Sequence, residues 1–313
     1  MASYLPLANL LGLNFESKQA GATKSPRYCY SVWLRHMVMA HENGFTAWPK
    51  SIAEIGPGDT LGVGLAALIS GAEEYYACDV VKHAHNVDDN LELLAGVISL
   101  FGSRAPIPGE EEFPDLYPRL MSYKFPDHIF TAARMCESLK NDRINSIRSE
   151  IAKIDKNFSE GREGRVKIRY VVPWYGSDVI QRGQLDMIFS QAVMEHVDDM
   201  VLAYGIMYAY LKSGGFVSHE IDFQSHGTAL VWNGHWGYSD LLWKIIKGRM
   251  PYLINRYTHS QHLDVIKRAG FKIIIDITSK RTGGIDRQLC ATQFKNMSDE
   301  DMVTSSAFIQ AAK

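Results

Sequence analysis

Two short stretches carry the residue types that a nucleotide-bearing ligand needs. The first is Glu54-Ile55-Gly56-Pro57-Gly58-Asp59-Thr60-Leu61-Gly62-Val63-Gly64, and the second is Tyr75-Tyr76-Ala77-Cys78-Asp79. An apolar run ends beside an acidic residue, a glycine-rich turn opens a helix, and a second short run ends in an aspartate. Glycines let the backbone pass close to a ligand, and a carboxylate at a strand tip can accept hydrogen bonds from ribose hydroxyls. That chemistry grips an adenosine-containing cofactor, with Glu54, Gly56, Gly58, Asp79 and Val80 as its candidate contacts. The dinucleotide fingerprint G-x-G-x-x-G is not met, because its third position falls on Leu61 and glycine arrives one residue late at Gly62. No Gly-Lys-Ser/Thr follows, which excludes a phosphate-binding P-loop.

Three further segments extend the pattern. They are Leu185-Asp-Met-Ile-Phe-Ser-Gln-Ala-Val-Met-Glu-His-Val197, Leu211-Lys-Ser-Gly-Gly-Phe216 and Ala269-Gly-Phe-Lys-Ile273. Together with the glycine turn they resemble, in order, the motifs of class I S-adenosylmethionine (SAM)-dependent methyltransferases, with Ser213 where that family usually has proline. The overall pattern resembles bacterial members of glycan and secondary-metabolite pathways. The resemblance runs from about Ser51 to Phe294. It implies an α/β fold: a Rossmann-like, doubly wound sheet with an antiparallel C-terminal edge hairpin, a helical N-terminal lid, and inserts forming a cap. It also implies SAM as cofactor and methyl transfer to a hydroxyl, or another nucleophile, of a small molecule or carbohydrate. The extra residue in the glycine turn leaves open what Asp59 to Gly62 touch.

Elements must position these residues. Pro26 to Asn43 has Tyr30, Trp33, Leu34, Met37 and Val38 at helical spacing, with Gly44 as a stop. It is either a lid presenting Tyr30 and Trp33 to substrate or an ordinary packed helix. Strands are expected at Ser51–Ile55, Glu74–Cys78, Val166–Val172, Leu185–Ser190, Gly215–Ile221, Phe271–Thr278 and Gln288–Phe294, followed by a terminal helix over Ser298–Ala312. The organisation is thus a lid over 1–50, a SAM-binding domain over 51–297 with inserts at about 102–160 and 223–257, and a C-terminal helix over 298–313. Inserts at the carboxyl edge of such sheets commonly carry specificity.

Ligands in open α/β sheets sit outside the carboxyl ends of the strands, so the residues just past each strand are the candidates. After the third strand, Trp174, Tyr175 and Asp178 could hold an adenine, or the aromatics could be core. Gln191 ends the fourth strand, where the resemblance implies a cofactor contact. His196 is the candidate general base, since an imidazole takes a proton near neutral pH, and Glu195 could orient it or meet the methionine amino group. The structural alternative is that His196 satisfies a local backbone group. His219, Asp222 and His226, with Trp232 beyond them, suggest a polar, aromatic substrate pocket. Strand alternation sends His219 and Glu220 to opposite faces while Glu220 and Asp222 share one, and no compact metal motif is completed.

Net charge −2 over 313 residues gives no electrostatic reason to expect nucleic acid. Cys29, Cys78, Cys136 and Cys290 are scattered, as in a reducing compartment. No apolar run approaches a membrane span and Met1 to Phe15 lacks a basic start, so the expected partner is a small-molecule or glycan substrate, in the cytoplasm, with a homodimer left open. Two rivals stand beside methyl transfer. The same fold can attack the methionine chain and release methylthioadenosine, with Tyr175 lining a closed pocket. It can also bind SAM without catalysis.

Overall fold

The computed structural model describes residues 22–154, 166–176, 179–248, 250 and 252–313. Its seven-stranded sheet comprises β1 (Ser51–Ile55), β2 (Glu74–Cys78), β3 (Lys167–Val171), β4 (Leu185–Gln191), β5 (Leu211–Asp222), β6 (Lys272–Lys280) and β7 (Thr304–Ala312). The strand order is β3-β2-β1-β4-β5-β7-β6. β3, β2, β1, β4 and β5 run parallel, while β7 pairs antiparallel with both β5 and β6. The chain is therefore an α/β protein with a Rossmann-like doubly wound sheet and an antiparallel C-terminal edge. The order reverses between β1 and β4, and the crevice outside their carboxyl ends is where such sheets place ligands.

Helices cover both faces. On one face lie α1 (Pro26–Glu42), α2 (Gly62–Ser70), α3 (Val87–Gly102), α4 (Ala132–Ser138) and α5 (Asn141–Ile151). On the other lie α6 (Met200–Tyr210) and α8 (His259–Arg268), while α7 (Asp240–Lys247) belongs to the insert after β5. A short α9 (Asp299–Val303) precedes β7. α2 contains no charged residue and is buried on every side, as a helix enclosed between sheet and neighbours must be. It packs tightly on β2, since a Cβ added at Gly64 would stand 2.0 Å from the Tyr75 ring. Gly64 thus serves helix–strand packing, and Gly62, where a Cβ would stand 2.3 Å from Cys29 Sγ and 2.8 Å from Leu93 Cδ2, serves packing on α1 and α3.

α1 is an ordinary core helix. Ser25 caps it, proline opens it, and every residue from Cys29 to Ala40 is buried. Tyr30 donates to the Ala105 carbonyl at 2.7 Å, and Trp33 Nε1 donates to Ser70 Oγ at 2.8 Å. Both side chains are committed to the core, so neither presents itself to a substrate. The lid expected over 1–50 falls, up to residue 21, outside the described residues. Buried Arg35 donates to the carbonyls of Pro108, Leu116 and Pro118, which moors the first insert on α1.

The C-terminus differs from expectation. Residues 288–294 form short 3-10 turns at Arg287–Leu289 and Thr292–Phe294, in which Cys290 and Phe294 pack on Trp236. The terminal helix stops at Val303, and Thr304–Ala312 becomes β7. An inner strand covered on both faces loses polar/apolar alternation, and its small Ser and Ala residues read like helix formers.

Candidate functional site

The site is built from the turns that follow β1, β2, β4 and β5. After β1, Gly56 and Gly58 adopt left-handed backbones, φ +68° and +75°, which a side chain would strain. A Cβ on Gly56 would also stand 2.7 Å from Val193 Cγ2, in the turn after β4. The rest of the turn is already engaged. Thr23 Oγ1 accepts from the Asp59 N–H at 3.1 Å, Asn90 Oδ1 from the Leu61 N–H at 2.8 Å, and Thr60 Oγ1 from the Gly62 N–H at 3.3 Å. Asp59 to Gly62 are thus engaged by Thr23 in the lead-in to α1, by Asn90 on α3 and by Thr60 within the turn. Glu54 is buried, and its Oε2 accepts from the Tyr75 hydroxyl at 2.5 Å. Burial raises this carboxyl to about 7, although Tyr75 and the Gly64 N–H hold it lower than burial alone would. Glu54 braces β1 against β2 and α2.

After β2, the half-exposed Asp79 turns Oδ1 onto the N–H groups of Val80 (2.7 Å) and Val81 (3.4 Å). Its Oδ2 takes no hydrogen bond among the described residues. Burial raises its pKa, with the two N–H groups opposing. The Trp174 N–H donates to the Asp79 carbonyl at 3.1 Å and ties the β3 turn alongside. Trp174 itself is 3% exposed and packs with Cys78, Val171 and Ile180, which is the core alternative rather than an adenine platform. Tyr175 is 46% exposed and edge-on to Trp174. Asp178 lies outside the described residues.

The turn after β4 holds the reactive candidates. Gln191 Nε2 donates to Glu220 Oε2 at 3.2 Å, while its buried Oε1 has no partner among the described residues. Met194–His196 is a single 3-10 turn. Asn255, from the insert after β5, fixes it: Nδ2 donates to the carbonyls of Met194 and Val197, each at 2.9 Å, and its N–H donates to the Glu195 carbonyl at 2.6 Å. His196 faces His226 edge-on, ring centroids 5.2 Å apart, and its Nδ1 is unpartnered. Burial and the neighbouring His226 lower its imidazole to about 4, so it is neutral at pH 7.

The end of β5 completes a strongly acidic wall. Asp222 Oδ2 meets His226 Nε2 at 3.1 Å. Burial pushes the Asp222 carboxyl up, but His226 and the Gln224 side chain and N–H overcome this and leave it below its ordinary value. Glu195 is 2% exposed and neither of its carboxylate oxygens has a partner. Burial, then the charges of Asp222 and Glu220, raise its pKa well above the usual range. Burial and Asp222 do the same to Glu220, against the Ala192 N–H. Burial disfavours the charged form of both carboxyls, of which Glu195 has no hydrogen-bond partner and Glu220 accepts from Gln191 Nε2.

Not every predicted contact gathers here. His219 points to the opposite face, where its Nδ1 meets Ser190 Oγ at 2.8 Å and Tyr204 lies edge-on. It is fully buried among core side chains. Trp232 is nearly buried, packs edge-on against Trp236, and keeps its Nε1 unpartnered within the insert. Glu54, Gly56, Gly58, Asp79 with Val80, Gln191, His196, Asp222 and His226 do surround the ends of β1, β2, β4 and β5. Sequence reasoning missed Asn255, Tyr252 and the Tyr117 carbonyl, which Gln191 Nε2 approaches at 3.5 Å. Tyr252 lies near His83, with its hydroxyl 3.4 Å from Nε2. No local motif marks any of the three, because each enters from a distant insert.

Among the described residues, no group of three His, Cys, Asp or Glu is arranged to hold a metal ion, and no helix is long and apolar enough to cross a membrane. No family model matches the chain, and no curated protein matches it. Three solved structures illustrate what it is similar to. An S-adenosylmethionine-dependent methyltransferase from Mesorhizobium loti is 12% identical, with 86% of this chain and 92% of that chain covered and a TM-score of 0.41. Geranyl diphosphate C-methyltransferase from Streptomyces coelicolor A3(2) is 10% identical over 89% and 77% of the two chains, TM-score 0.41. Phosphoethanolamine N-methyltransferase 2 from Haemonchus contortus is 13% identical over 90% and 53%, TM-score 0.41.

Proposed function

We propose that this chain is a SAM-dependent methyltransferase acting on a hydroxyl of a small molecule or carbohydrate, of the glycan and secondary-metabolite kind. The observation that carries the reading is the acidic crevice at the sheet's switch point. The carboxylate of Asp79 at the tip of β2, the partnerless buried carboxyl of Glu195 after β4 and the buried carboxyl of Glu220 on β5 support it. A ligand with ribose hydroxyls at one end and positive charge at the other matches both.

SAM, when bound, supplies an electrophilic methyl group on a sulfonium. The protein does the rest. Asp79 accepts from ribose hydroxyls through Oδ2, because Oδ1 is spent on its own turn. Glu195 and Gln191 Oε1 offer unpartnered acceptors to the cationic part, and Glu220, which accepts from Gln191 Nε2, adds its charge beside them. His196 stands neutral with Nδ1 free to take the proton of an acceptor hydroxyl, and the nearby Asp222 carboxylate favours the imidazolium that results. Alignment and exclusion of water beneath the two inserts provide most of the acceleration.

The test is mass spectrometry of the purified protein with SAM and a panel of hydroxylated acceptors, beside a no-enzyme control. Enzyme-dependent S-adenosylhomocysteine together with a product heavier by one methylene supports the reading. Enzyme-dependent methylthioadenosine, with no methylated product, overturns it.

A further inference from the structure

We propose that a second cavity, at the amino-terminal end of the sheet, binds a phosphate group. It lies between the C-terminal end of α1, the loop leading into β1 and the start of α4, at the opposite end of the strands from the crevice. Its volume is about 130 Å³, and His41, Trp48, His128, Thr131 and Arg134 are among its walls. That is room for several waters or one tetrahedral ion. Among the described residues, no carboxylate lines it.

The donors are arranged and unanswered. The Arg134 guanidinium lies 3.9 Å over the Trp48 ring. Stacking fixes the guanidinium plane and leaves its N–H groups to act in that plane. Arg134 Nε and Trp48 Nε1 are both buried with no acceptor among the described residues. Three polar atoms converge on the point that a Cβ of Gly71 would fill: Trp48 Nε1 at 3.1 Å, Arg134 Nη1 at 3.5 Å and Ser138 Oγ at 3.5 Å. His41 and His128 stand edge-on at 5.3 Å and bring further ring nitrogens to the same cavity. A guanidinium fork, an indole N–H, hydroxyls and imidazoles, with no competing carboxylate, select an oxyanion rich in acceptor oxygens. Phosphate, with more charge and more acceptor oxygens than a carboxylate, answers this set best.

Isothermal titration at constant ionic strength tests the site, using inorganic phosphate and phenyl phosphate as separate probes. The wild-type chain is expected to bind inorganic phosphate at one site. Arg134→Gln is expected to weaken it about ten-fold or more, because a charge-assisted fork is lost. Trp48→Phe keeps a ring beneath the guanidinium and removes only the N–H, so a loss of a few-fold is expected. Binding of phenyl phosphate as well assigns the site to the end group of a larger phosphomonoester. Binding of inorganic phosphate alone assigns it to the free ion. Absence of binding by wild type, or equal affinity in wild type and a natively folded Arg134→Gln, overturns the proposal. If Arg134→Gln does not fold, unchanged affinity in Trp48→Phe overturns it instead.

Discussion

Val193 rests its side chain on Gly56, so that a Cβ at position 56 would stand 2.7 Å from Val193 Cγ2. The turns after β1 and β4 are thereby in contact across the point where the sheet reverses direction. Gly56 also has φ +68°. Gly56→Ala therefore meets both backbone strain and a methyl clash, and a loss of about 1–3 kcal/mol in denaturant unfolding is expected. Adding Val193→Ala relieves only the clash. The double variant should recover part of the loss, with a coupling of at least about 0.5 kcal/mol. Simple additivity would show that the two turns do not press on one another.

Asp79 spends one carboxylate oxygen on its own turn, and on the proposed reading the other meets the ribose. Asp79→Ala should weaken SAM binding by roughly ten- to a hundred-fold, the worth of hydrogen bonds to a charged group. Calorimetric titration checks this, and unchanged affinity would remove Asp79 from the ribose position.

His196 is expected to act through its free Nδ1. His196→Ala should lower kcat by about 10²–10⁴ with little change in SAM affinity, as for loss of a general base. A variant as active as the wild type would return His196 to a purely structural role in its turn.

Burial raises the pKa values of Glu195 and Glu220, with the charge of Asp222 acting on both and that of Glu220 on Glu195. A cation entering the crevice stabilises the ionised carboxylates, so on the order of one proton should be released on SAM binding near neutral pH. Affinity should accordingly rise with pH. Titration in Hepes and in Tris, whose ionisation enthalpies differ, reads the proton directly, and Glu195→Gln should reduce it. Identical heats in both buffers would contradict the protonated wall.

Stability should peak at about pH 6.5. His36, His219, His235 and His262 are lowered to about 3 and His196 to about 4, in each case chiefly by burial. Their contribution is complete above the ordinary histidine pKa and is lost as pH falls from there through the folded values. Glu54, raised to about 7, works the other way, with Glu195 and Glu220 raised further. Their contribution is complete below the ordinary glutamate pKa and is lost as pH rises through the folded values. Thermal melts from pH 5 to 8.5 check the sign on each side, and Glu195→Gln should flatten the alkaline fall.

What the sequence made legible was local. The glycine turn, Asp79 and the Glu195-His196 segment each sit within a few residues of a strand whose apolar run is plain, so β1, β2, β4 and β5 and their tips could be read directly. β7 could not, because burial on both sides and both faces erased the alternation that marks a strand. Tyr30 and Trp33 sat on a correctly read helix, but its residues are buried all round, so spacing alone gave no sign that both were spent on the core. His219 was assigned by adjacency to Asp222 although the pleat sends it to the far face. Asn255 lay out of reach because its meaning comes only from carbonyls some sixty positions earlier.

Those three bonds from Asn255 make the insert after β5 and the turn carrying His196 a single mechanical unit. Exchanging residues 223–257 for another sequence, as one would do to re-target the proposed activity, would unclamp the turn that carries His196, the proposed proton acceptor. Substrate choice and catalytic competence are therefore not independently adjustable in this architecture. A transplanted insert must bring its own clamp for the turn, or a narrower specificity will be obtained only with a slower catalyst.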